Sequence, residues 1–140
     1  MTEVEIPLTE EEYSALNEQY PRDLQSARVG ERATALAKIY FKRRSPGCSF
    51  RTPQRGADLK VEHNGETEQL EIKGTEAPDI SWAKIKVSST QSHELLSNGM
   101  PLYRIVSVYE RHPRVFIMTC PEDFEMIPEP RWSVRARRKP

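Results

Sequence analysis

A chain of 140 residues fits one domain and leaves little for a second. At 36% hydrophobic and 30% charged it is polar, yet it holds enough apolar side chains for a core, which excludes a disordered coil, and no apolar run nears the roughly 20 residues of a membrane span. The formal net charge of zero excludes a uniformly basic nucleic-acid coat.

The charge is instead segregated along the chain. Residues 1–21 carry six acids and no base, and residues 22–60 carry ten bases and three acids. Residues 61–100 come to −4 and residues 101–140 to +3. A basic stretch running into an acidic one suits a protein that attracts phosphate and holds a divalent cation, although solvated faces give such clusters too. Cys48 and Cys120 have no CxxC partner, and His63, His93 and His112 lack metal-ligand spacing. The acidic start lacks the order of a signal peptide, so a reduced intracellular compartment, the cytoplasm, is expected.

Taken in order, Thr9 and Glu12 form a capping box that opens a helix over about 9–19, stopped by Pro21. A longer helix is predicted from Asp23 or Ser26 to Arg44. Val29, Ala33, Leu36, Ala37 and Tyr40 make its core stripe, and Ser45-Pro46-Gly47 ends it. Residues 57–63 and 66–73 alternate apolar and polar around Asn64-Gly65, a strong hairpin signal. Trp82 to Val87 alternates again and is read as a third strand, with Trp82 taken as a core residue ahead of a base-stacking one. Ser89 or Thr90 caps a helix over about 91–97, ended by Asn98-Gly99. Strands follow at 102–109 and 114–119, joined through Arg111-His112-Pro113. Residues 1–130 thus form a single α/β domain with a mixed sheet, and 131–140 a basic tail in which Trp132 is the apolar exception.

The hairpin carries the chemistry. With a two-residue loop at 64 and 65, His63 pairs with Glu66, and the register carries Asp58 opposite Glu71. Asp58, Lys60, Gln69, Glu71 and Lys73 then share one face, while Ala57, Leu59, Val61, Leu70 and Ile72 share the apolar one. Opposed residues stand about 4.5–5.5 Å apart at Cβ. Two carboxylates at that spacing repel unless a cation lies between them, and magnesium is commonly held by one or two carboxylates with water and phosphate. Lys73, two residues on, can act on an attacking water or on charge developing at a phosphate. The plainer reading is a polar hairpin face that happens to collect such residues. Arg44, Arg51 and Arg55, with Lys60, are the candidate phosphate contacts.

Gly30-Glu31, Gly56-Ala57-Asp58, the run Glu71-Ile72-Lys73-Gly74-Thr75, Ser88-Ser89-Thr90-Gln91, and Tyr103 before Ile105-Val106 occur in an order and spacing that resembles the PD-(D/E)XK nuclease superfamily. More narrowly, the set is similar to the C-terminal domain of the plant protein NO VEIN. The resemblance covers about residues 28–118. Ala57 stands where many members have proline, and Gln91 where the family often has Glu. The resemblance implies a restriction-endonuclease-like fold, with a central mixed sheet flanked by helices. It implies Asp58 and Glu71 as metal ligands, Lys73 as the catalytic lysine, and Glu31 and Gln91 as further site candidates. The expected function is a magnesium-dependent deoxyribonuclease, with manganese able to substitute; DNA is put ahead of RNA as the substrate, although the residues do not separate the two. Its place would be in restriction, repair or defence, with a homodimer or partner subunit supplying specificity. The alternatives are a catalytically silent nuclease-fold module that binds nucleic acid or protein, and a structural or toxin–antitoxin interaction protein.

Overall fold

The computed structural model describes residues 1–23, 26–130, 132 and 134–137. The chain order is β1 (Thr2–Glu5), α1 (Glu10–Gln19), α2 (Ser26–Arg44), β2 (Ser49–Arg51), β3 (Leu59–His63) and β4 (Glu66–Gly74). A 3-10 turn (Trp82–Lys84), α3 (Thr90–Ser97), β5 (Leu102–Val106) and β6 (Arg114–Met118) complete it. The six strands form one sheet in the order β1-β6-β5-β4-β3-β2. It is mixed because β4 and β5 run parallel and every other pair is antiparallel. Among the described residues no helix is long and apolar enough to cross a membrane.

Local chemistry explains the elements. The Thr9 hydroxyl accepts from Glu12 N at 3.1 Å, and the Glu12 carboxylate accepts from Thr9 N at 2.9 Å, the reciprocal cap expected of that spacing. Arg43, in the basic last turn of α2, reaches back to Glu12 at 2.6 Å and ties the two helices. Asn64 and Gly65 have φ of 50° and 75°, the left-handed pair that a two-residue hairpin requires. His63 accordingly pairs with Glu66, and the register continues to Leu59 opposite Leu70.

The sheet has a different cover on each face. Leu59, Val61, Leu70, Ile72, Tyr103 and Ile105 pack under Ala33, Leu36, Ala37 and Tyr40 of α2, with Leu16 of α1 in the same core. Gly74 is required at the closest approach, since a Cβ there would lie 2.6 Å from the Ala33 Cβ. On the opposite face Leu102 and Met118 meet Leu96 and Met100, with Phe124 and Met126 packed against them. Burying these residues supplies roughly 1.5–3 kcal/mol per large aliphatic side chain.

Four expectations change. The N-terminus holds a strand, β1, which pairs with β6 from Thr2–Ile117 to Glu5–Arg114. A short strand, β2, also forms after the turn at Ser45. Both are edge strands whose ordering comes from partners far along the chain, not from local alternation. Residues 82–87 do not form a strand: Trp82–Lys84 is a 3-10 turn entered through a left-handed Ser81, and Trp82 is 51% exposed. Finally, Ala57 packs with the α3 cluster rather than with Leu59 and Val61, because the chain leaves the ladder at this point. Of the predicted basic tail, Arg135 and Arg137 are exposed, and Arg131, Arg138 and Lys139 lie outside the described residues.

Candidate active site

The site forms where β3 diverges from β4. Asp58 N donates to Leu70 O at 2.9 Å, while the Asp58 carboxylate, through Oδ2, accepts from Ile72 N at 2.7 Å. The aspartate thus stands in for a strand that has run out and satisfies an N–H that would otherwise lack a partner. On its other edge β4 has already taken up β5, since Glu71 N donates to Pro101 O at 3.0 Å. Glu71 is therefore fixed on both sides at the level where one strand ends and another begins.

Glu71 is only 4% exposed, and its Oε2 is buried with no hydrogen-bond partner. Burial first, then the adjacent Asp58 carboxylate, pushes its pKa up to about 8 against the pull of Lys73 and Ser92. The Lys73 Nζ lies 3.9 Å from Glu71 Oε1, a distance of charge compensation rather than direct hydrogen bonding. The structure thus brings together Asp58, Glu71 and Lys73 on the face away from α2. Lys60 shares that face, opposite Gln69, and Arg51 follows it on β2 opposite Lys60.

The fourth member is one that sequence reasoning missed. The Ser89 side chain caps α3 by accepting from Ser92 N at 3.0 Å, and its hydroxyl bonds the Ser92 hydroxyl at 2.7 Å. The Ser92 hydroxyl in turn donates to Gly56 O at 2.9 Å. Ser92 is also felt by Glu71, but its proton is committed to Gly56, which leaves Glu71 Oε2 without a donor. Gly56, at φ 99°, has no room for a Cβ, which would sit 2.8 Å from Gln91 backbone. The Ser-rich segment before residue 91 was the only signal for this contact, and it pointed to Gln91, which is exposed while Ser92 is drawn in.

Two other candidates are not brought in. Glu31 is exposed and pairs with Arg28 at 3.4 Å, on a helix that covers the opposite face of the sheet. Arg44 also lies on that side: it bonds the Tyr40 hydroxyl and lines a cavity of about 650 Å3 with Tyr103 and Ile117. Arg51 is engaged by Glu62 at 3.1 Å, and Arg55 is exposed at the turn closed by Ala57 N to Gln54 O at 3.1 Å.

The donor set fits a hard divalent cation in one respect. A buried carboxylate oxygen without a donor, beside a second carboxylate, is satisfied either by a shared proton or by a cation. The protein supplies only this pair, since no group of three or more acidic, histidine or cysteine side chains able to hold a metal occurs among the described residues. Water and substrate would have to complete the shell. No known protein family, no curated protein and no solved structure matches the chain.

Proposed function

We propose that this chain is a metal-dependent nuclease with a restriction-endonuclease-like fold, hydrolysing phosphodiester bonds of DNA inside the cell. One observation carries the reading: a buried Glu71 with an unpartnered oxygen, pressed against Asp58, with the Lys73 ammonium 3.9 Å away. The residue pattern that resembles PD-(D/E)XK nucleases supports it independently of the geometry. Asp58 and Glu71 would hold magnesium, or manganese in its place. The chemistry such a cation supplies is polarisation of a phosphodiester oxygen and acidification of water. Lys73 then has two uses open to an ammonium on that face, orienting the attacking water or countering charge on the phosphorane-like transition state. Glu71 is buried, and Asp58 caps the strand end beside it through Ile72 N. Arg55, Arg51 and Lys60 supply sequence-blind phosphate contacts. No separate recognition element accompanies them, so a second copy or a partner subunit would supply specificity.

The test is incubation with plasmid and single-stranded DNA in magnesium, manganese or chelator. Lys73→Ala should lose about 100-fold or more in rate with little change in affinity. Arg55→Ala should weaken binding of all sequences alike and lower the salt slope by about one phosphate contact. A Lys73→Ala protein that cuts at the parental rate sinks the reading. A second reading, a catalytically silent nucleic-acid module, is favoured by the commitment of Asp58 Oδ2 to Ile72 N. It gains if neither magnesium nor manganese binds and nothing is cut.

A further inference from the structure

On the face that carries Lys73, one level of the sheet can be followed from strand to strand. Lys73 of β4 neighbours Arg104 of β5, and Arg104 neighbours Phe116 of β6. With strands about 4.8 Å apart, Phe116 lies roughly 10 Å from Lys73 across the face. A cleft of about 510 Å3 opens there, lined by Asp79, Ile80, Ser81, Trp82, Arg114 and Phe116.

Trp82 is half in water, yet the loop that presents it is fastened at several points. The Arg104 side chain, 2% exposed, donates from Nε to Ile80 O at 2.8 Å and from Nη1 to Gly74 O at 3.2 Å. Ser107 N donates to Ala77 O at 2.9 Å, Val108 N to Thr75 O at 3.3 Å, and Arg114 to the Pro78 carbonyl. A loop so fixed has lost its entropy before any ligand arrives, so its exposed indole is a preorganised contact. Across from it the Arg114 guanidinium covers the Phe116 ring at 5.5 Å, and at the rim the Asp79 carboxylate takes the Ser81 hydroxyl at 2.6 Å. The cleft offers an aromatic face to a flat ring, beside an Arg114 guanidinium already paired with Glu3 at 2.6 Å, and a carboxylate to a ring amino group.

We propose that this cleft takes one unpaired nucleobase of the strand whose phosphate lies at Lys73, a choice of ligand that rests on the nuclease reading above. The distance of roughly 10 Å corresponds to about three nucleotides of a stacked strand, and fewer of an extended one. A base inside a duplex has both faces stacked and cannot enter, so the substrate is single-stranded, or double-stranded with a base turned out. Exposed Lys84, two residues from Trp82, meets the backbone of that strand.

The chain has two tryptophans, so Trp132→Phe leaves Trp82 as the single reporter, and Lys73→Ala in the same protein stops cutting during titration. In magnesium, a single-stranded oligonucleotide should quench the emission, and a blunt duplex of the same sequence should not. Trp82→Ala should weaken single-strand binding about tenfold or more by anisotropy of a labelled oligonucleotide, with Trp82→Phe retaining most of it. Unchanged emission together with parental affinity in Trp82→Ala overturns the proposal and leaves the indole to a protein partner. Quenching by a protein whose Lys73 parent cuts nothing upholds the cleft and removes the nuclease reading. Cutting without quenching does the reverse.

Discussion

At Glu71 the fold and the proposed chemistry pull in opposite directions. With its pKa raised from an unfolded value near 4.5 to about 8, the folded protein binds this proton more tightly than the unfolded chain does. The stabilisation from Glu71 is therefore fully present below about pH 4.5 and is lost as pH rises through 8. Metal-free protein should melt progressively lower between about pH 5 and 8, and Glu71→Gln should flatten that slope; a parent with no slope there would contradict the assignment. Because a cation must displace the same proton, metal affinity should rise over this range with about one proton released per ion below pH 8. Calorimetry in two buffers of different ionisation enthalpy reads that number. Asp58 has a second duty, accepting from Ile72 N, so charge and hydrogen bond can be separated. Asp58→Ala leaves a backbone donor unsatisfied and should cost about 1–3 kcal/mol without metal, whereas Asp58→Asn keeps an acceptor and should cost less. Equal losses in chemical denaturation would show that the acceptor is not what matters there.

Among the elements, α2 does the most joining. Its Arg32 is fully buried, donating to Val108 O at 2.6 Å and to Asn17 Oδ1 and Tyr20 O at 3.0 Å each, with its guanidinium 5.1 Å from the Tyr109 ring. Burial holds its pKa below the usual arginine value. Arg32→Ala would strand two carbonyls and should cost about 3 kcal/mol, read as a lower denaturant midpoint. Gly74→Ala should cost about 1–3 kcal/mol by overpacking against Ala33, and Ala33→Gly should recover part of it in the double variant. Independent, additive losses would mean that the helix simply moves aside. The capped helix 10–19, the α2 stripe and the Asn64-Gly65 hairpin were legible because each is specified by residues within a turn or two of one another. Arg32 and Arg104 were not, since a buried guanidinium looks like any surface arginine until the distant carbonyls that receive it are known. The same holds within the site. Counting along the hairpin brings Asp58 to the level of Glu71, but the ladder ends at Leu59–Leu70 and Asp58 lies in the bend before β3, so the expected cross-strand pair does not form. Ser92 arrives from another element, and Trp82 is turned outward by bonds from Arg104 and Arg114 to its loop.

At the scale of the whole molecule, the sheet is closed at one edge by β1, the strand the local pattern did not reveal. Removing residues 1–5 would uncover β6 along the full register from Thr2–Ile117 to Glu5–Arg114. An apolar edge carrying Val115 and Ile117 should then pair with a second copy, seen as concentration-dependent oligomers in size-exclusion chromatography; a monomeric truncated protein would show that the edge is protected by other means. The single parallel pair, β4 with β5, has a different kind of consequence. Parallel neighbours cannot be joined by a tight turn, so the chain must travel from Thr75 to Pro101 before it can pair again. That excursion contains Trp82, Ser89 and Ser92, while Asp58, Glu71 and Lys73 all precede it. The proposed chemistry and the proposed base contact thus fall on two consecutive stretches of the chain, joined by the bond from the Ser92 hydroxyl to Gly56 O. An exchanged excursion would have to keep the Ser92 hydroxyl and the Gln91 backbone against Gly56 to leave the hairpin undisturbed.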